Sequence, residues 1–277
     1  MSSAAVRSFG KNEAGKDWII SDAHGAFDLV WSAMKSSKFD KAVDRLFVAG
    51  DMVDRGPESM RAKRFLEQPF VHAILGNHER WWLDLYEDGP PDPEVVKYLG
   101  GRGNMGVQWW LDADPEERDA LVEMFKKLPL VIEVETDRGL VGIVHAEVPE
   151  GMAWQTFKKA IARGDHHTVQ SALWGRRRIK AGDQTGVEGV GRVFVGHTPQ
   201  WNGLKRYGNV YAIDTGAVFG LLGIGEPDEE PKLTMAQLVA GTQALMDPSR
   251  AGDARGLVDV RAAGASDVRA FGSYAGR

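Results

Sequence analysis

Short, uniformly apolar runs alternate along the chain with stretches whose apolar positions recur every three or four residues. The runs at 18–20, 46–49 and 71–75 are too short for helices and are typical of strands buried on both faces. Between the first two runs, residues 26–36 carry apolar side chains at helical spacing. This alternation predicts a sheet covered by helices, of the α/β or α+β class.

The same alternation continues along most of the chain. Further helices are predicted at 57–67, 79–86, 93–99, about 105–111, 115–127 and 154–174. Further strands are predicted at 130–134, 140–144, 192–195, 203–207, 209–213, 217–224 and 232–239. Asp114 has the residue type of a helix N-cap, and Pro115 suits the first helical position after it.

The composition changes at both ends of the chain. Residues 1–16 are polar and predict a flexible N-terminal arm, and residues 17–240 form the main domain. Residues 241–277 are rich in Gly and Ala with scattered apolar residues, and they predict a poorly ordered tail.

Charge and composition exclude several classes of function. The 277 residues carry a net charge of -5, which argues against bulk electrostatic binding to nucleic acid or to an anionic membrane. With no cysteine, the chain has no disulfide, thiolate nucleophile, zinc ribbon or iron–sulfur cluster. No targeting segment or membrane-spanning apolar run is visible, so a cytoplasmic location is expected.

Potential metal ligands and acid–base residues follow five of the predicted strands. In chain order these residues are Asp22 and His24; Asp51, Asp54 and Arg55; Asn77 and His78; His145; and His197. Sites in helix-flanked sheets form where the carboxyl ends of strands open into loops, so these side chains are expected to converge. Any metal there must be held by oxygen and nitrogen ligands, which suits Mn, Fe, Zn or Co better than Ca or Mg.

The run from Gly50 to Gly56, with Asp51, Asp54 and Arg55 at fixed positions, is more specific than the other motifs. Together with the other four motifs it resembles the metal-dependent phosphoprotein phosphatases of the calcineurin-like metallophosphoesterases, in their small bacterial and phage branch. The resemblance covers roughly residues 16–239. It implies a four-layer β-sandwich flanked by helices, with 17–240 as a metallophosphatase catalytic domain.

The resemblance implies a role for each of ten residues. The first metal would be bound by Asp22 and His24, with Asp51 bridging both metals, and the second by Asn77, His145 and His197. His78 would be the general acid, oriented by Asp54. The phosphate would be held by Arg55, Arg176 and Asn77.

These roles are chemically consistent with phosphate ester hydrolysis. Two divalent ions that share a carboxylate lower the pKa of water and stabilise charge on phosphoryl oxygens. Guanidinium groups match phosphate geometry, and an imidazole held by a carboxylate can protonate an alkoxide leaving group. Mn²⁺ is the metal that the resemblance favours, while Fe and Zn also suit the ligands.

The leading hypothesis is hydrolysis of phosphoserine and phosphothreonine in proteins, with phosphotyrosine as an additional candidate substrate. A symmetrical diadenosine tetraphosphate hydrolase, or another small-molecule phosphoesterase, uses nearly the same metal motifs. The run Asp54-Arg55-Gly56 and Glu79 favour the protein phosphatases, because those hydrolases commonly have Ala and Asp at the Asp54 and Glu79 positions. A catalytically silent binding scaffold is the alternative from another class, but its members typically have broken ligand sets.

Three positions depart from the family pattern. Ser21 stands where Gly is usual, Leu75 where eukaryotic members carry Arg, and His145 is followed by Ala-Glu rather than Gly-Gly. We therefore expect a phosphoprotein or phosphopeptide as partner, without a eukaryotic-type regulatory subunit, nucleic acid or membrane.

Other conspicuous residues have structural interpretations. His72 lies inside a predicted strand, as a half-buried packing residue would. The pairs Trp81-Trp82 and Trp109-Trp110 are typical of helix packing rather than of a stacking platform. Arg176 has a solvated basic turn as its alternative, because two more arginines follow it.

Overall fold

The order of elements along the chain is mixed α/β. The computed structural model describes residues 5–103, 105–226, 228–242, 245 and 256–261. Its strands are β1 (Val6–Phe9), β2 (Asp17–Ile20), β3 (Arg45–Val48), β4 (Val71–Ala73), β5 (Val131–Thr136), β6 (Gly139–Val144), β7 (Arg192–Val195), β8 (Lys205–Tyr207), β9 (Val210–Ala212), β10 (Leu233–Gln237) and β11 (Leu257–Val260). Its helices are α1 (Phe27–Ser36), α2 (Arg61–Leu66), α3 (Asn77–Leu85), α4 (Pro93–Arg102), α5 (Gln108–Asp112), α6 (Pro115–Phe125), α7 (Trp154–Ala162), α8 (His166–Trp174), α9 (Arg177–Ala181) and α10 (Ala217–Leu222).

The strands form two sheets. One has six strands in the order β1-β5-β6-β7-β9-β8, and the other has five in the order β11-β10-β2-β3-β4. In the five-stranded sheet β2, β3 and β4 are parallel, and in the six-stranded sheet β6, β7 and β9 are parallel. Each parallel set therefore directs its carboxyl ends to one edge of its sheet.

Three apolar clusters separate four layers, which confirms the helix-flanked sandwich. Side chains alternate across a strand, so Ile19 packs between the sheets while Trp18 and Ile20 face the helix layer of α1, α2, α3, α5 and α6. On the outer face of the six-stranded sheet, Trp154 and Phe157 of α7 pack beside the strands. Because the central strands of the sheets are buried on both faces, their sequences are continuous apolar runs.

The expected arm and tail differ from the structure where it describes them. Residues 6–9, assigned to the arm, form β1, which pairs parallel with β5 and packs Phe9 against Phe47 at 5.3 Å between ring centroids. Residues 257–260, assigned to the tail, form β11, which pairs antiparallel with β10. The remainder of the expected tail, apart from 241, 242, 245, 256 and 261, lies outside the described residues.

Other expectations about individual elements need correction. The apolar run 217–224, predicted as a strand, contains α10, which is bounded by left-handed glycines at Gly216 and Gly223. A short apolar run alone does not distinguish the two structures. The helix expected from Pro57 begins only at Arg61, after hydrogen-bonded turns.

Further helix boundaries follow from local capping. The helix expected over 154–174 is two helices, and the Asp165 side chain caps the second by accepting a hydrogen bond from the Thr168 amide. Asp114 caps α6 and Pro115 occupies its first turn, as expected. Within the described residues, no helix combines the length and apolar character required to cross a membrane.

His72 gives the fold a measurable pH dependence. It is half-buried on β4, with its ring 4.6 Å from that of Phe9, and burial together with the charges of Arg45 and Arg7 lowers its pKa to about 4. The unfolded chain therefore binds a proton near pH 6.5, whereas the folded protein binds it only near pH 4. Protonation below pH 6.5 thus favours the unfolded chain, so the free energy of unfolding decreases as the pH falls. We expect the stability of the wild type relative to His72→Gln to decrease between pH 7.5 and 4.5 in urea denaturation. A difference that stays constant over this range would contradict the assignment.

Candidate metal centre

The predicted site residues lie where the carboxyl ends of the two parallel strand sets meet. Asp22 and His24 follow β2, and their amides bond to the Gly50 and Asp51 carbonyls after β3 at 3.2 and 3.0 Å. Three hydrogen bonds from two donors join the two sheets at this edge. The His197 amide, after β7, donates to both Asp22 carboxylate oxygens at 3.1 and 3.0 Å. His145 Nδ1, after β6, donates to the Ala49 carbonyl at 2.7 Å.

Strained backbone is concentrated at this edge. Among the described residues, seven other than glycine have a positive φ, and Lys38 is the one that lies outside the predicted site. The other six are Asp22, His24, Asp51, Asp54, Arg55 and His197. Each such conformation costs on the order of 1–3 kcal/mol and persists only where the surrounding structure enforces it. The strand-to-loop turns thus aim these side chains inward at the expense of local stability.

Two groups of metal-ligating side chains share Asp51. His24, Asp51 and His78 form one group, and Asp51, His145 and His197 form the other, all of them buried. The Nε2 atoms of His24 and His145 lie 3.6 and 3.5 Å from the two carboxylate oxygens of Asp51. Asn77 joins the second group, because its Oδ1 lies 2.8 Å from His145 Nε2.

Backbone carbonyls set the orientation of two of these histidines. His24 Nδ1 donates to the Val53 carbonyl at 2.7 Å, and His145 Nδ1 is similarly engaged with Ala49. With Nδ1 protonated in both rings, Nε2 presents a lone pair toward Asp51. Burial lowers the pKa of both His24 and His145, which keeps them neutral as ligands must be.

His197 and the buried carboxyl groups test whether a cation fits. Its Nε2 is buried without a hydrogen-bond partner, and burial next to His145 lowers its pKa to about 2. Burial and repulsion from Asp214 and Asp51 raise the pKa of Asp22, and burial raises that of Asp214 to about 6. Unpaired imidazole nitrogen beside mutually repelling carboxylates is the donor set that a divalent cation satisfies. The residues therefore fit a metal centre.

His78 of the first group forms a buried pair with Asp54. His78 Nδ1 lies 2.6 Å from Asp54 Oδ2, and Asp54 Oδ1 accepts hydrogen bonds from the indoles of Trp82 at 2.9 Å and Trp109 at 2.7 Å. Although burial opposes it, the negative charges of Asp51 and Asp54 raise the pKa of His78. Its Nε2 lies 3.9 Å from Asp51 Oδ2, so this end of the ring points to the shared carboxylate. The ring can therefore carry a proton into the site.

The two arginines lie within electrostatic reach of the site. Arg55 is half-buried, its guanidinium contacts His24 Nε2, and its charge adds to burial in lowering the pKa of His24. Arg176 is half-buried before α9, and its charge contributes to the lowered pKa of His145 and His197. The neighbouring Arg177 is exposed and Arg178 forms an ion pair with Asp183 at 2.7 Å. Of the three consecutive arginines, Arg176 is the one whose charge acts on the histidines of the site.

Several residues of the site were not assigned to it by sequence. Glu79 accepts from the amides of Asp51 at 2.9 Å and Met52 at 2.7 Å, and it ties the loop after β3 to α3. Burial and repulsion from Asp51 raise its pKa to about 7. Its position three residues after the helix N-cap is a recognisable signal. Asp214 directly follows the apolar run that contains β9. It therefore has the same signal as the other candidate residues, a polar side chain directly after a buried strand.

The remaining histidines lie outside the two groups. His166 and His167 are exposed on α8, with their rings 5.7 Å apart. His72 lies on β4, where its ring packs against those of Phe9 and Phe47. None of the three is a member of either candidate metal group in the described part of the chain.

Comparison with known proteins identifies the class. The Calcineurin-like phosphoesterase family profile matches residues 17–216, and the chain belongs to this family. It is therefore a metallophosphoesterase with a mixed α/β fold.

Individual relatives differ in how much of the chain they match. The serine/threonine-protein phosphatase 1 of Salmonella typhimurium is 31% identical over 209 residues, which are 73% of this chain and 87% of the relative. The symmetrical bis(5'-nucleosyl)-tetraphosphatase of Psychromonas ingrahamii is 33% identical over 82 residues, 29% of this chain and 30% of the relative. A protein serine/threonine phosphatase structure from Saccharomyces cerevisiae shares the fold with a TM-score of 0.54 at 16% identity, covering 94% of this chain and 85% of that one.

Gly76 tests how tightly the site is packed. A Cβ at this position would lie 2.2 Å from Asp51 Oδ1 and 2.4 Å from the Asp51 amide. We expect Gly76→Ala to destabilise the protein by about 1–3 kcal/mol through overpacking and to weaken Mn²⁺ binding at least about tenfold by displacing Asp51. Thermal unfolding and calorimetric titration with Mn²⁺ measure the two effects.

Gly101→Ala on α4 is the matched control, because a Cβ there meets open space. It is expected to leave Mn²⁺ binding unchanged and to stabilise the helix slightly. Equal effects of the two substitutions would contradict the packing argument.

Proposed function

We propose that this protein is a dinuclear-metal phosphomonoesterase that hydrolyses phosphoserine and phosphothreonine in proteins, with phosphotyrosine as an additional candidate substrate. The observation that carries the proposal is the pair of buried histidine groups that share Asp51, one of which contains His78 paired with Asp54. A carboxylate shared between two ligand sets, next to an imidazole held by a second carboxylate, suits phosphate ester hydrolysis better than binding alone.

The ligand assignment distributes the donors over two metals. Asp22, His24 and Asp51 would hold the first metal, and the second would be held by Asp51 together with Asn77, His145 and His197. Asp22, which belongs to neither of the two groups, here takes the place of His78 in the first group, because His78 is assigned as the general acid. In such a site two divalent ions supply activation of water and stabilisation of phosphoryl charge. The oxygen and nitrogen donors accept Mn²⁺, Fe or Zn, and the family resemblance favours Mn²⁺.

His78 is assigned as the general acid. Its Nδ1 is anchored on Asp54 and its Nε2 is directed into the site, so the ring can deliver a proton at a fixed position. The alkoxide of serine or threonine is a poor leaving group and requires this proton. The carboxylate of Asp54 stabilises the imidazolium before the transfer and keeps the ring oriented afterwards.

Arg55 and Arg176 are assigned to the phosphate. Both guanidinium groups are half-buried, where charge is less screened than in bulk water. A guanidinium can hold two phosphate oxygens at once, which orients the ester and stabilises its negative charge. Because the chain as a whole is acidic, this local positive charge rather than the overall field must capture the substrate.

Preference for phosphoproteins is supported by the extent of the similarities. The match to the Salmonella phosphatase extends over 209 residues, whereas the match to the Psychromonas tetraphosphatase extends over 82. The second match keeps dinucleotide hydrolysis as the alternative function. A binding scaffold without catalysis would retain the fold but would not require the intact ligand set found here.

The direct test is a substrate panel with purified protein and Mn²⁺. We expect hydrolysis of a phosphoserine peptide that is abolished by a chelator, restored by Mn²⁺, and lost in Asp51→Asn, which weakens both ligand groups. Faster turnover of diadenosine tetraphosphate than of any phosphopeptide would favour the alternative function. A folded protein that binds no metal by elemental analysis would favour the scaffold.

The leaving-group dependence tests the role of His78. We expect His78→Asn to reduce kcat on a phosphoserine peptide by about 100-fold or more, which is the usual contribution of a general acid. The loss on p-nitrophenyl phosphate should be much smaller, since its leaving group needs little proton donation. Steady-state kinetics on both substrates measures the ratio, and equal losses would argue against the assignment.

A further inference from the structure

Residues 105–110, which we call the 105–110 segment, contact the loop after β3 that carries Asp54 and Arg55. The segment belongs to the chain between α3 and β5, and its Trp109 indole donates to Asp54 Oδ1 at 2.7 Å. The amide of Arg55, the next residue along the loop, donates to the carbonyls of Met105 and Gly106, each at 3.1 Å. Asp54 and Arg55 are therefore both held by a part of the chain that lies some 50 residues away.

The two oxygens of the Asp54 carboxylate have separate partners. Oδ1 accepts from Trp82 and Trp109, while Oδ2 faces His78 Nδ1 at 2.6 Å. Asp54 is completely buried, so no solvent replaces a missing donor. With both indoles on Oδ1, rotation of the carboxylate is restricted and Oδ2 stays directed at the imidazole.

The fit between the segment and the loop is close. A Cβ at Gly106 would lie 2.5 Å from Arg55 Cα, and both Gly106 and Arg55 have a positive φ, at 67° and 65°. Such an approach leaves little freedom for the 54–55 backbone to shift relative to the segment. The segment thus constrains both the backbone and the side chain that face the site.

Trp110 provides an internal comparison. It lies on the same short helix, is more deeply buried than Trp109, and has its ring 5.3 Å from Trp82, as Trp109 does. Its indole, however, donates to Tyr86 Oη at 3.1 Å rather than to Asp54. The two adjacent tryptophans therefore share a packing role but differ in their hydrogen-bond acceptor.

We propose that Trp109 is a positioning residue that acts through Asp54 to hold His78 in the orientation for proton donation. The proposal rests on the proposed function, because it assumes that His78 is the general acid. It assigns to the Trp109 indole a part in the reaction that helix packing alone does not require. Trp109 itself need not contact the substrate.

The test compares Trp109→Phe with Trp110→Phe in the full-length protein with Mn²⁺. We expect Trp109→Phe to lower kcat on a phosphoserine peptide by about tenfold, with KM and the rate on p-nitrophenyl phosphate changed less than about threefold. Trp110→Phe should change none of these by more than about twofold, although Trp110 is the more deeply buried of the two and also packs against Arg118. Equal losses on the two substrates, or equal effects of the two variants, would overturn the proposal.

A second measurement does not depend on activity. In protein labelled with ¹⁵N at the tryptophan indoles, we expect Asp54→Asn to shift the N–H resonances of Trp82 and Trp109 strongly and that of Trp110 little. An unchanged Trp109 resonance would overturn the proposal even if Trp109→Phe failed to fold. A wild type inactive on both phosphate esters would instead refute the proposed function, and the resonance shifts would still decide whether Trp109 holds Asp54.

Discussion

Placing the Asp51 carboxylate away from water is the constraint on which the rest of the site depends. An isolated buried carboxylate is strongly disfavoured. Burial opposes the ionised form of Asp51, whereas the His78 amide, which donates to Asp51 Oδ1 at 3.0 Å, and the neighbouring His78 ring favour it. The neutral rings of His24, His145 and His197 enclose the carboxylate from both sheets, so building the site requires the two halves of the sandwich to meet in a fixed register. The metal groups, the acid pair and the join between the sheets are therefore parts of one electrostatic arrangement.

The backbone around this carboxylate is maintained by the layers behind it. Six site residues adopt left-handed conformations that are unfavourable in isolation. Their stability comes from elsewhere, because the strands that precede them are buried on both faces and cannot shift without exposing the core. Glu79 adds a local restraint by accepting amides from the loop after β3. The buried strands thus hold the strained turns in place, and these turns direct the side chains of the six residues toward the candidate site.

Features encoded by local patterns could be predicted from the sequence, and those that depend on distant pairing could not. The buried strands and the polar residues after them are adjacent in sequence, so the edge and the side chains that meet there can be predicted. The bond between Trp109 and Asp54 joins residues 55 positions apart, and β1 pairs with a strand more than 120 residues away. Neither contact leaves a local signal. The helix α10 was mistaken for a strand because its boundaries depend on left-handed glycines rather than on its apolar residues.

The positions of β1 and β11 have a consequence for the behaviour of the protein in solution. Each is the outermost strand at one edge of its sheet, β1 beside β5 and β11 beside β10. Both are short edge strands that carry polar residues, Arg7 and Ser8 exposed on β1 and Asp259 half-buried on β11, and such edges disfavour pairing with another chain. The side chains of β5 and β10 are mostly buried, so these strands would form apolar edges in their place. Trimming the chain to residues 17–240 would therefore exchange two polar edges for two apolar ones that favour aggregation.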